Sequence, residues 1–245
     1  MTLLDAALDE LVTANHILAK EGVVDSFGHI SIRHPENPQR YIMSRSRAPE
    51  CIESSDLIEF TLEGEPIDAR GMDPYAERHI HGAIYDARPE VTAVVHNHSP
   101  NVIPYGVTGT SLKPLLHMCA GMGSHVPIWD SRTNFGDTTL LVSNMAMGRD
   151  LAASLGGYRA ALMRGHGCVV IGQSVREVVF SSVYLEINAE LQFKASMLGE
   201  ITFLSDGEVD AILKRRGPYT FERAWERWCR RAGRPYEPAP DARPA

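Results

Sequence analysis

The sequence predicts an α/β fold in one domain. Three observations carry this expectation. The chain has 245 residues, within the range of a single α/β domain. Its hydrophobic share is 44%, enough to fill a core. Segments of period-two alternation and of helical periodicity interleave along the chain.

The elements follow in order. Residues 2–22 place Leu4, Leu8, Leu11 and Leu18 at helical spacing, and Gly22 is a natural stop. His29-Ile30-Ser31-Ile32-Arg33 alternates as a strand, and Tyr41 to Ser44 reads as its hairpin partner. Residues 57–62 form a third strand. Residues 75–88 read as a helix, with Pro74 suited to its first turn. Residues 91–97 are an apolar strand that runs into His98. A helix is expected over 143–155. Residues 160–163 and 168–171 read as short strands flanking Arg164-Gly165-His166-Gly167. Residues 175–198 form a long helix, 201–204 a strand, and 208–214 and 220–232 the last helices. Trp225 and Trp228, three apart, read as a packing face. The single domain is expected over 1–232, and residues 233–245 as a flexible tail.

Composition narrows the function. The formal net charge is -7, with 24 Lys+Arg against 31 Asp+Glu. Such a surface repels polyanions, so neither nucleic acid nor an anionic membrane is the expected partner. No apolar run approaches the roughly 20 residues of a bilayer span. The first residues lack the basic-then-apolar pattern of a secretory signal. Cys51, Cys119, Cys168 and Cys229 show no C-x-x-C spacing, and a reducing cytoplasm is the expected compartment.

Ten histidines stand beside those four cysteines. In Val94-Val95-His96-Asn97-His98-Ser99 the two imidazoles lie at i and i+2 of a strand, hence on one face. That is half a metal site, and alone a weak motif. His166, between two glycines in a strand-connecting turn, could complete a three-histidine site with open coordination positions. Neutral imidazole suits Mn, Zn, Fe or Co, and the sequence does not choose among these divalent ions. Glu77 lies four residues before His81, so a helix would place both on one face. Near a metal, its carboxylate could be a ligand or a general acid/base.

These pieces together resemble the class II aldolase/adducin family, over about residues 3–204. The family's Gly-Asn-x-Ser strand, catalytic Glu, H-x-H pair and third histidine in an H-G turn correspond to Gly28-His29-Ile30-Ser31, Glu77, His96/His98 and His166. The resemblance implies a three-layer α/β/α fold around a central, mostly antiparallel sheet. It also implies a homotetramer with active sites between subunits, and a divalent cation on the three histidines beside Glu77.

The departures from the sugar-phosphate aldolases bear on substrate. Those enzymes have Asn where His29 stands and a Ser-Ser pair where this chain has Tyr75-Ala76. Both changes remove small phosphate donors. An interfacial Tyr of the aldolases corresponds to His117, which can donate a proton near neutral pH. Arg45 and Arg47 are suited to bidentate contact with carboxylates. His29, Arg45, Arg47, Glu77 and the Trp-rich last helix most resemble the family's decarboxylase branch, which acts on dihydroxyphthalates and hydroxypyridine dicarboxylates. The resemblance therefore implies a metal-dependent lyase that decarboxylates an ortho-hydroxy aromatic (di)carboxylate in aromatic catabolism. His29, Arg45 and Arg47 would bind this small carboxylate, and Glu77 and His117 would move protons.

Two enzymatic alternatives use the same residues: an aldolase on an unphosphorylated hydroxy-keto acid, and an Fe(II)-dependent dioxygenase. A non-catalytic module like the adducin head lacks the full metal set that this chain retains. Only Lys20, Lys113, Lys194 and Lys214 are available. None sits in an apolar strand that would depress its pKa, which argues against an imine route.

Overall fold

The computed structural model describes residues 2–239. Helix α1 (Leu3–Lys20) opens on a capping box. Thr2 Oγ1 accepts the Asp5 N–H at 3.1 Å, and Asp5 Oδ2 accepts the Thr2 N–H at 2.8 Å. The strands are β1 (His29–Arg33), β2 (Arg40–Ser44), β3 (Leu57–Thr61), β4 (Ala93–Asn97), β5 (Ile128–Trp129), β6 (Ala160–Met163) and β7 (Gly167–Gly172). Among the described residues they form one sheet in the order β3-β2-β1-β4-β7-β6-β5. Every neighbouring pair is antiparallel except β5–β6. The remaining helices are α2 (Arg78–Ala87), α3 (Ile103–Val107), α4 (Arg132–Phe135), α5 (Met145–Leu155), α6 (Val175–Leu198), α7 (Asp206–Arg215) and α8 (Pro218–Arg231).

Strand alternation sorts the sheet into two faces. Ile30, Ile32, Val95 and Val170 face one apolar layer, shared with α1, α6 and α8. Met43, Val94, Val169 and Ile171 face the other, shared with Ile80 and Ile84 of α2 and Leu151 and Leu155 of α5. The fold is therefore a three-layer α/β/α sandwich around a mixed sheet. Each fully buried aliphatic side chain contributes about 1.5–3 kcal/mol. A one-residue slip of β4 would drive His96 into the first layer in place of Val95, so the register is strongly specified. Helices α2 and α5 pack closely because Gly148 has no side chain; a Cβ there would lie 2.5 Å from the His79 carbonyl oxygen. Trp225 and Trp228 are buried in the first layer, as their spacing predicts.

Several elements differ from expectation. Helix α2 begins at Arg78, not at residue 75. Pro74 pairs in a bridge with Arg45, and Glu77 occupies the N-cap position. Glu77 and His81 therefore do not share a helical face. No strand forms at residues 201–204. Leu204 N–H donates to the Pro114 carbonyl at 3.0 Å, and the sheet edges are taken by β3 and β5. The short strand β5 and the 3-10 turn His117–Met122 were not legible from periodicity. Of the expected flexible tail, residues up to 239 make contacts: Arg234 donates to Asp9 Oδ1 at 3.1 Å, and Tyr236 OH to Glu222 at 3.0 Å. Residues 240–245 lie outside the described residues. No helix among the described residues is long and apolar enough to cross a membrane.

Candidate metal centre

The site lies at one end of β4, on the α2 side of the sheet. His96 and His98 project from β4 and the residue after it. His29 of β1 stands directly opposite His96 in the ladder, so both side chains share that face. His166 arrives from the β6–β7 turn. Gly165 turns the chain there at φ +68°, and Gly167 lets it pass β4: a Cβ on Gly167 would lie 2.1 Å from the Asn97 carbonyl oxygen. Glu77 comes from the N-cap of α2.

Four ligand atoms, one each from Glu77, His96, His98 and His166, lie within 4.8 Å of one another. His96 Nε2 is 3.2 Å from His98 Nε2. Glu77 Oε2 is 3.5 Å from both His96 Nε2 and His166 Nε2. Ligands about 2.0–2.1 Å from a zinc-sized ion stand roughly 3.3 Å apart in a tetrahedron, so the spacing fits.

The hydrogen bonds behind the rings fix which nitrogen is free. His96 Nδ1 donates to the Cys168 carbonyl at 3.1 Å, and His166 Nδ1 to the Leu140 carbonyl at 2.9 Å. His98 Nδ1 donates to the Asp25 carboxylate at 3.1 Å. A carbonyl or carboxylate only accepts, so each Nδ1 carries the proton and each neutral Nε2 presents a lone pair. Three lone pairs and a carboxylate facing one point form a donor set for a cation, and the partners behind them orient the ligands. Asp25→Asn keeps the turn that shapes residues 25–28 but removes the charge behind His98. It is expected to weaken metal binding by about tenfold, measured by competition with a chelator.

Electrostatics agree. Burial pushes the Glu77 carboxyl up, but His96 and His166 overcome it and hold Glu77 well below the usual carboxylate range. Burial pushes His166 down, but the Glu77 carboxylate outweighs it and leaves His166 raised. A proton and a metal ion therefore compete for His166 Nε2. The raised group takes up its proton as pH falls through its pKa, so metal should be released on acidification and retained above it. Equilibrium dialysis across pH reads this directly.

Glu77 Oε1 accepts the Val142 N–H at 2.9 Å, which leaves Oε2 toward the histidines. The loop 140–142 thus holds both Glu77 and His166. Leu140 sits at φ 67°, a strained conformation for a leucine that places its carbonyl against His166.

The remaining expected site residues fall in three places. His29 is beside the metal cluster, its ring centroid 5.1 Å from that of His96 and 4.5 Å from that of Tyr75. Arg45 and Arg47 are brought together on the buried Asp56, at 2.6 and 2.7 Å. Two guanidiniums against one carboxylate leave one positive charge. The Arg47 backbone carbonyl accepts the Tyr75 hydroxyl, which links this segment to the ring beside His29. His117 begins the 3-10 turn and is exposed; the Arg216 guanidinium donates to the carbonyl of the adjacent Met118 at 3.1 Å. His117 is not in the metal cluster.

Sequence reasoning missed Asp25, Leu140 and Val142. Asp25 had one faint local signal, the turn in which its Oδ1 accepts the Phe27 and Gly28 N–H groups. It also left His81 and Tyr85 unassigned. His81 lies 2.7 Å from His29 Nδ1 through its Nε2, and 2.6 Å from Ser31 Oγ through its Nδ1. Burial drives His29 well below the usual histidine range and His81 down to about 3, so both are neutral.

Comparison with known proteins agrees with this architecture. Residues 9–193 match the class II aldolase and adducin N-terminal domain. Decarboxylase tropJ of Talaromyces stipitatus is 33% identical over 242 residues, covering 89% of this chain and 91% of that protein. The 3,4-dihydroxyphthalate decarboxylase of Arthrobacter keyseri is 25% identical over 235 residues, covering 89% and 91%. Among solved structures, an aldolase II superfamily protein from Pseudomonas syringae superposes with a TM-score of 0.78 at 21% identity, covering 95% and 94%. With the family domain spanning most of the chain and its histidine and glutamate ligand positions assembled at one point, the protein belongs to the class II aldolase and adducin family.

Proposed function

We propose that this protein is a divalent-metal-dependent decarboxylase of an ortho-hydroxy aromatic (di)carboxylate. The observation that carries this reading is the cluster of Glu77, His96, His98 and His166, flanked by His29 and Tyr75 rather than by small phosphate donors. Two relatives named as decarboxylases, each matched over 91% of its own length, support it.

His96, His98 and His166 would hold the ion. When bound, it supplies Lewis-acid stabilisation of the negative charge that develops on a ring oxygen as CO₂ leaves. Glu77 is ionised in the resting site, so it begins as a base. It takes the proton of the ring hydroxyl beside the scissile carboxylate. Glu77 returns the proton to the ring carbon that bears the carboxylate; the bond between that carbon and the carboxylate then breaks, and its electron pair restores the aromatic ring and leaves the negative charge on the ring oxygen. The net positive charge of the Arg45–Arg47–Asp56 group would favour a second carboxylate. His117 is exposed in one subunit, so its proton-transfer role would be exercised in a neighbouring copy of a homotetramer with sites between subunits.

The test is CO₂ release from 3,4-dihydroxyphthalate and related ortho-hydroxy dicarboxylates by metal-loaded protein. Stoichiometric CO₂ with the decarboxylated phenol is the expected result. Release of pyruvate or an aldehyde from a hydroxy-keto acid, or dioxygen consumption, would replace this reading with an aldolase or an oxygenase.

A further inference from the structure

A buried chain of hydrogen bonds leads away from the metal ligands. It runs from His29 Nδ1 to His81 Nε2 (2.7 Å), from His81 Nδ1 to Ser31 Oγ (2.6 Å), and from Ser31 Oγ to Tyr85 OH (2.8 Å). All four side chains are buried, His29 to 1% exposure. Tyr85 is closed off by the Arg33 guanidinium, 4.8 Å over its ring. The His29 ring centroid lies 5.1 Å from that of His96, and His29 Nε2 is buried with no hydrogen-bond partner among the described residues.

The direction of the chain follows from satisfying each proton. The Tyr85 phenol must donate, and Ser31 Oγ is its side-chain acceptor. Ser31, having accepted, donates to His81 Nδ1. His81 therefore carries its proton on Nε2 and donates to His29 Nδ1. His29 in turn carries its proton on Nε2. The reverse order would strand the phenol proton in the interior and leave His29 Nε2 an unpaired acceptor as well. The forward order leaves a single unpaired group, the His29 Nε2–H, next to the ligand His96.

We propose that Tyr85, Ser31 and His81 lock His29 as the Nε2–H tautomer, making it a hydrogen-bond donor to an oxygen of the substrate carboxylate at the metal centre. The identity of that ligand rests on the decarboxylase reading; the tautomer does not. His29 touches the ligand, and Tyr85, Ser31 and His81 are positioning residues that act through it.

The experiment uses ¹⁵N-histidine-labelled, Zn(II)-loaded full-length protein. The His29 signals are assigned by their loss in His29→Gln. The expected spectrum shows His29 protonated on Nε2 and unprotonated on Nδ1. In Tyr85→Phe and in Ser31→Ala the lock is broken and the Nδ1–H form of His29 appears, with zinc content unchanged. Salicylate, an ortho-hydroxy carboxylate, serves as the binding probe. His29→Gln retains an N–H donor and should bind it within about threefold of wild type; His29→Leu should lose about tenfold or more. A wild-type His29 protonated on Nδ1 overturns the proposal. So does a tautomer that stays unchanged in both Tyr85→Phe and Ser31→Ala, or salicylate binding equal in wild type and His29→Leu. The expected tautomer found in a protein that releases no CO₂ supports the lock and counts against the decarboxylase reading alone.

Discussion

Replacing His96 with alanine is expected to strip the protein of its divalent ion and to lower activity by more than about 10³-fold. His96 is fully buried, and its Nδ1 satisfies the Cys168 carbonyl. The variant therefore loses a ligand and also a buried hydrogen bond, and leaves a cavity in the interior. His98→Ala separates the two effects. The His98 side chain is partly exposed and its partner Asp25 is half exposed, so the fold cost is small while the ligand loss is the same. Metal analysis and thermal unfolding of both variants check this. Both should lose metal, and only His96→Ala should unfold markedly more easily.

Glu77→Gln has the second large effect, and of a different kind. Glutamine keeps an acceptor for the Val142 N–H and nearly the same volume, so the loop 140–142 stays in place. It cannot take a proton from a ring hydroxyl or return one to carbon. The turnover number should fall about 10²–10⁴-fold, while the three histidines retain the ion. Unchanged substrate affinity with a collapsed turnover number would assign Glu77 to proton transfer. Loss of metal along with activity would make it a ligand instead.

The parts of this site legible in the sequence are those set by local rules. The H-x-H pair shares a face because strand side chains alternate, and β4 obeys that period. His166 lies between two glycines because its turn crosses β4 without room for a side chain. Helix α6 runs over Val175–Leu198, the span the sequence predicts. What could not be read depends on chain segments far apart. The segment 75–77 has helical composition, yet Tyr75 is held by Arg47, Pro74 by Arg45 and Glu77 by Val142. Those contacts win over the i→i−4 bonds a longer helix would make, and they turn Glu77 onto the histidines. Arg45 and Arg47 read as free cations until Asp56 is seen between them. In the sequence His81 stands only as a helix residue four after Glu77. Only the β1–α2 packing shows that it joins His29 to Ser31 and Tyr85.

His96, His98 and His166, with Glu77 beside them, would form one divalent-metal site. Calorimetric titration of metal-stripped wild-type protein with Mn(II) or Zn(II), beside His98→Ala, tests it most directly. One saturable ion per chain in the wild type, absent from His98→Ala, is the expected result. No saturable binding in the wild type, or equal binding in the folded variant, would contradict it.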